Sequence, residues 1–154
     1  METLSESLGA QINIVARALR VALEKELASE EVSPSQWMLM MALGEKDHQG
    51  QSELGKILHL DNATITRIVD KLQDKGLMVR NQDRADRRAQ IVSLTDKGRT
   101  TYIRWNAIGA KVNQEATQNL TPEEIKELLQ YLAIVKYNLD LLNGARKNNS
   151  NSIV

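Results

Sequence analysis

Between Asn62 and Arg88 the chain gathers side chains suited to binding a polyanion. Asn62, Ala63, Thr64, Thr66 and Arg67 stand close together, Lys71 follows one helical turn later, and Arg84, Arg87 and Arg88 crowd into the loop NQDRADRR. Small polar groups and arginine can read the hydrogen-bonding edges of bases, while guanidinium groups gain from the strong negative potential of a narrow minor groove. Asp83 and Asp86 interleave with the loop arginines, and Asp86 is placed to orient a neighbouring guanidinium. A solvated loop would carry the same run of charge, but here it directly follows a groove-sized helix. Other chemistry finds little support. His48 and His59 lie in or beside turns without a second ligand at metal spacing, and there is no glycine-rich phosphate loop or nucleophile elbow. No catalytic residue, metal or cofactor is therefore expected, and the chain does not read as an enzyme. The absence of cysteine removes disulfides, thiolate metal sites and thiol-based sensing.

The elements that must carry these residues can be read from their spacing. From Asn62 to Lys75 the apolar positions Ile65, Ile68, Val69 and Leu72 share one helical face, leaving the polar set on the other. Asp61 or Asn62 supplies an N-cap, and Gly76 stands where a helix needs a left-handed stop. Leu77–Arg80 and Ala89–Leu94 read as two strands, with Val92 and Leu94 on one side of the second. Helix, strand, basic loop and strand in that order make a winged helix-turn-helix, with duplex DNA as the expected partner. An amphipathic surface helix would carry the same apolar row. A winged helix that binds protein is the other alternative; its association would be insensitive to salt.

The segment DRADRRAQIVSLTDKGR resembles the wing of the MarR (multiple antibiotic resistance regulator) family. ATITRIVDKLQDKGLMVR is similar to that family's recognition helix running into the first wing strand, and QSELGKILHLD to the helix before it. These blocks span about residues 34–105, and the helical flanks extend the likeness to nearly the whole chain. The resemblance implies a mainly α fold: a winged helix-turn-helix with a small β-hairpin wing, flanked by N- and C-terminal dimerisation helices. It also implies a homodimeric repressor on a pseudo-palindromic operator, released by a small aromatic acid. A short first strand is expected near residues 45–51, where Gly50 replaces the threonine cap usual in relatives. A ligand cleft between the dimer helices and the winged helix is implied too, lined here by Arg17, Trp37, Met41 and Trp105, with the arginine holding a carboxylate. Core packing of both tryptophans and a surface ion pair for Arg17 is the alternative.

The ends of the chain suggest what holds two copies together. Leu4, Leu8, Ile12, Val15, Leu19, Leu23 and Leu27 step by three or four, which predicts one helix over residues 4–27. Thr121, Pro122 and Glu124 form a helix start, followed by Ile125, Leu128, Leu129, Leu132, Val135, Leu139 and Leu142 up to Gly144. Swapped between two chains these stripes would build a shared core, although packing within one chain is the alternative. Val32–Gly44, with Ser33 as cap and Pro34 at the first position, predicts a further helix that is apolar almost all round and so buried. Thr95 starts another, with Gly98 in its first turn allowing a close approach. The expected organisation is one domain over 1–144, with a winged-helix lobe at about 32–100 and dimerisation helices at about 3–28 and 101–143. A disordered tail is expected over 145–154.

At 154 residues with zero net charge the chain is not globally basic, yet its charge is unevenly spread. Residues 1–50 carry −4, 51–100 carry +3 and 101–154 carry +1, so the excess lies with the winged-helix motif. No apolar run approaches membrane-spanning length and no leader pattern opens the chain, which predicts a cytoplasmic protein without a membrane partner.

Overall fold

The computed structural model describes residues 3–83 and 89–150, with side chains as far as Gly144. Helix α1 (Leu8–Leu27) begins later than its apolar stripe suggests. The amide and hydroxyl of Thr3 both donate to the Glu6 carboxylate, at 3.0 and 2.8 Å, closing a local turn that leaves Leu4 outside the helix. The stripe also divides in two. Leu23 and Leu27 are buried, whereas Leu8, Val15 and Leu19 are exposed and Ile12 half-buried. A 3₁₀ turn (Ala28–Glu30) leads to α2 (Pro34–Glu45), whose Ser33 and Gln36 cap each other reciprocally. Leu39, Met40 and Leu43 are fully buried there, but Met38 is exposed, so α2 is not buried on every side. Gly44 does not end the helix. It makes room for Tyr102, whose ring carbon Cε2 would lie 2.1 Å from an added Cβ.

The winged lobe follows as β1 (Gln49–Gly50), α3 (Gln51–Ile57), α4 (Asn62–Asp74), β2 (Met78–Gln82) and β3 (Gln90–Leu94). The short first strand lies where it was expected, and Gly50 precedes α3 without a side-chain cap. The antiparallel sheet runs β1-β3-β2, with Met78 opposite Leu94 and Gln82 opposite Gln90. Strand β2 thus starts one residue later and ends two residues later than its sequence pattern suggests. Asp83 N–H donates to the Ala89 carbonyl at 3.0 Å, closing the hairpin base. The far end of the sheet is pinned by Asp47, whose carboxylate accepts the Leu94 and His48 amides and pairs with Arg99.

Helix α5 (Asp96–Ala116) packs on α1, α2 and β3. Thr95 Oγ1 accepts the Gly98 amide at 3.0 Å and donates to the Gly76 carbonyl at 2.7 Å, docking the start of α5 on the turn after α4. Leu27, Leu39, Leu43, Leu54, Ile65, Leu72 and Trp105 fill the core between these elements. Helix α6 (Pro122–Ser150) starts at the Thr121 and Glu124 capping box. It then runs through Gly144 to Ser150, which corrects the expected stop and the expected tail over 145–150. One glycine costs a helix only about 1 kcal/mol, less than is needed to end one this long. The backbone groups into two units, Met1–Ala116 and Thr117–Val154. Among the described residues no helix is long and apolar enough to cross a membrane.

Candidate nucleic-acid interface

Helix α4 is held at both ends and along one face. Asp61 accepts the Thr64 amide at 2.7 Å and the Thr64 hydroxyl at 2.9 Å, and these bonds hold its carboxyl below the usual range. Gly76 takes φ 70° after the C-cap Lys75, the left-handed stop expected of it. Ile65, Ile68, Val69 and Leu72 are buried, while Asn62, Ala63, Arg67 and Lys71 are exposed. Thr66 is half-buried and already engaged: its hydroxyl donates to the Asn62 carbonyl and accepts from Gln51 Nε2 at 2.9 Å, tying α3 to α4. Arg67 lies back along its own helix, with Nε 3.4 Å from the Ala63 carbonyl and Nη2 3.4 Å from Thr64 Oγ1. Bonds this long release the guanidinium at little cost.

One residue at this face escaped sequence reasoning. Arg80 of β2 reaches back to pair with Asp70 on α4. Its position at the end of a strand candidate gave no sign of a partner, because the pair forms only when the turn at Gly76 folds β2 against α4. Arg84, Asp86, Arg87 and Arg88 lie outside the described residues. Among the described residues there is no cluster of three or more His, Cys, Asp and Glu able to hold a metal.

Of the four expected cleft residues, Trp37 and Met41 share a cleft and Trp37 Nε1 donates to the Trp105 carbonyl at 2.9 Å, while Arg17 lies elsewhere on α1. Trp105 is a core residue, 2% exposed, with its indole Nε1 donating to Glu30 at 2.8 Å. Arg17 follows Ala16 by one residue, so it points about 100° further round α1, beside Asn13, Ile14 and Val21. Arg20, three residues on, borders the cleft beside Trp37 instead. A cleft of about 350 Å³ opens between α1, α2 and α5, walled by Leu19, Leu23, Trp37 and Met38 with Arg20 at its side. Trp37 also lines a second cleft of about 250 Å³, shared with Met41 and Tyr102. The ring of Trp37 fits because Gly109 carries no side chain: an added Cβ would lie 2.3 Å from Cζ2.

Residues 32–89 match the model of the MarR family. Solved structures of similar architecture extend the likeness over most of the chain. A probable transcriptional regulator from Pseudomonas aeruginosa is 27% identical, over 86% of this chain and 99% of that one, with a TM-score of 0.76. Wild-type MarR from E. coli in its apo form is 28% identical, over 84% and 96%, at a TM-score of 0.72. The transcriptional repressor CouR bound to a 23-mer DNA duplex is 28% identical, over 86% and 94%, at 0.78.

Proposed function

We propose that the chain is a MarR-family transcriptional regulator rather than an enzyme, and that it represses transcription by binding a pseudo-palindromic duplex as a homodimer; the family match over residues 32–89 and the fold shared with wild-type MarR support this reading. Helix α4 carries this reading: its apolar face is locked into the fold while Asn62, Ala63, Arg67 and Lys71 stand exposed on the opposite side. In a major groove, asparagine pairs with adenine, arginine with guanine, and lysine with phosphate. Thr64 and Thr66 shape the start of the helix, while Arg84, Arg87 and Arg88 enter the adjacent minor groove, oriented by Asp86. CouR, a repressor seen on DNA, supports the sign of regulation. Residues 32–100 form the DNA lobe, and the helices at 3–28 and 101–143 join the two copies. The exposed apolar rows of α1 and α6 support that role. The protein acts in the cytoplasm, where such a duplex is found.

The cleft beside Trp37 takes the effector, a small aromatic acid. Its walls are apolar, and among the described residues Arg20 is held by an exposed ion pair with Glu24 at 3.1 Å. Such a pair contributes little and yields readily to a carboxylate bound bidentately. The ligand releases DNA by favouring a dimer whose α4 helices are wrongly spaced. The DNA reading is tested by Arg67→Ala, Arg87→Ala and Arg88→Ala. Each weakens binding by about 1–3 kcal/mol if the side chain reaches a base edge or the minor groove. Unchanged affinity and an unchanged salt slope in all three would remove this face from the mechanism.

A further inference from the structure

The turn between α1 and α2 is bonded to elements far from it in sequence. Glu30 accepts Arg104 Nε at 2.9 Å, Arg104 Nη2 at 2.6 Å and Trp105 Nε1 at 2.8 Å, all from α5. Its side chain is 18% exposed, and its carboxyl is held below the usual range, first by Arg104 and then by Trp105. The Trp105 carbonyl accepts Trp37 Nε1 at 2.9 Å, which brings in α2 and the wall of the cleft. The next residue, Glu31, sits at φ 52°, where a non-glycine side chain persists only if its surroundings hold it. Its carbonyl accepts Lys75 Nζ at 2.6 Å. Lys75 is the C-cap of α4, and its own carbonyl accepts Lys97 Nζ at 2.7 Å.

We propose that Lys75 and Glu30 are positioning residues for DNA binding: through the elbow at Glu30 and Glu31 they fix α4 to α1 and α5, and couple its position to Trp37 and Trp105. This rests on the reading that α4 enters the groove. The elbow has leverage. Helix α1 is 20 residues long, so a rotation of about 5° at its end moves the far end by roughly 2.6 Å. A dimer built through α1 would pass that displacement to the spacing of its two recognition helices. Without Lys75, Glu31 keeps its amide bond to the Ala28 carbonyl but loses the bond to its own carbonyl, and the elbow can relax. Without the Trp37 bond, the same elbow loosens from the other side.

The test uses the full-length chain and a labelled duplex that the wild-type protein selects from a randomised library. Lys75→Met weakens binding about fivefold or more while the melting temperature stays within a few degrees, and Lys75→Arg, which keeps a donor, restores it. Glu30→Gln, which keeps one acceptor without the charge, shifts affinity in the same direction. The chain has only two tryptophans, both bonded into the elbow, so saturating duplex shifts the emission maximum of wild type and Lys75→Arg but not of Lys75→Met. Combining Trp37→Phe with Lys75→Met costs no more affinity than the larger single change. An equal emission shift in saturated Lys75→Met, or multiplying losses in the double variant, overturns the coupling and leaves the DNA reading standing. A wild-type protein that selects no duplex removes both.

Discussion

Asp70 lies on α4 with 53% of its side chain exposed, where, if α4 enters the groove as proposed, an unpaired carboxylate would repel a phosphate backbone. Arg80, 22% exposed and packed against α4, neutralises it. Arg80→Met should therefore weaken duplex binding by up to about fivefold, the range of an exposed charge interaction. Adding Asp70→Asn should restore most of the loss, as read by anisotropy titration. Persisting weakness in the double variant would make Arg80 a direct contact instead. Two further carboxylates, Glu30 and Asp47, are among the lowered ones that contribute to the response to acid. The bonds from Arg104 and Trp105 lower Glu30. Burial works to raise Asp47, but the Leu94 and His48 amides and the Arg99 guanidinium outweigh it and leave Asp47 lowered. A carboxyl lowered on folding contributes stability that is fully present above its unfolded pKa and is lost as pH falls through the folded value. The thermal midpoint should hold level from pH 8 to about 6, then drop below about pH 4, and Asp47→Asn should flatten part of that drop. A midpoint unchanged at about pH 3 would discount both groups.

The docking of α5 on the turn after α4 depends on Gly98. A Cβ there would lie 1.9 Å from the Leu77 carbonyl oxygen and 3.0 Å from its carbon, so backbone would have to shift. Gly98→Ala should destabilise the fold by roughly 1–3 kcal/mol in denaturant unfolding. Gly9→Ala in α1, with nothing within 4 Å of the new methyl, should instead be neutral or stabilise by about 1 kcal/mol. Equal effects would contradict the close approach. Helix starts at Ser33, Asp61 and Thr121 were legible in the sequence because a cap is decided within three residues. The face of α4 was legible from its period, and Gly98 from its place in a first turn. Gly44 misled because its reason is Tyr102 on another helix, and Gly144 because one glycine does not outweigh the turns on either side. That Arg20 rather than Arg17 borders the cleft beside Trp37 was not legible, because a stripe on one helix does not say which edge meets α2. The bond between Glu30 and Arg104 spans 74 residues and leaves no local pattern at all.

Across the whole molecule, α1 and α6 leave Leu8, Val15, Leu128, Leu132 and Leu139 exposed in the single chain, an arrangement that favours a second copy. Dilution should lower the melting temperature, and Leu8→Asp or Leu132→Asp should abolish duplex binding without touching α4. A folded monomer persisting at high micromolar concentration in sedimentation would contradict the dimer. Two-fold symmetry in the protein then demands two-fold symmetry in its DNA. The most direct measurement is selection of duplexes from a randomised library by the wild-type protein, followed by binding of the enriched sequence at increasing salt. The account predicts an inverted repeat with half-site centres about 10 base pairs apart, or a multiple of that, and affinity that falls steeply with salt. Enriched sequences without inverted symmetry, or binding indifferent to salt, would contradict it.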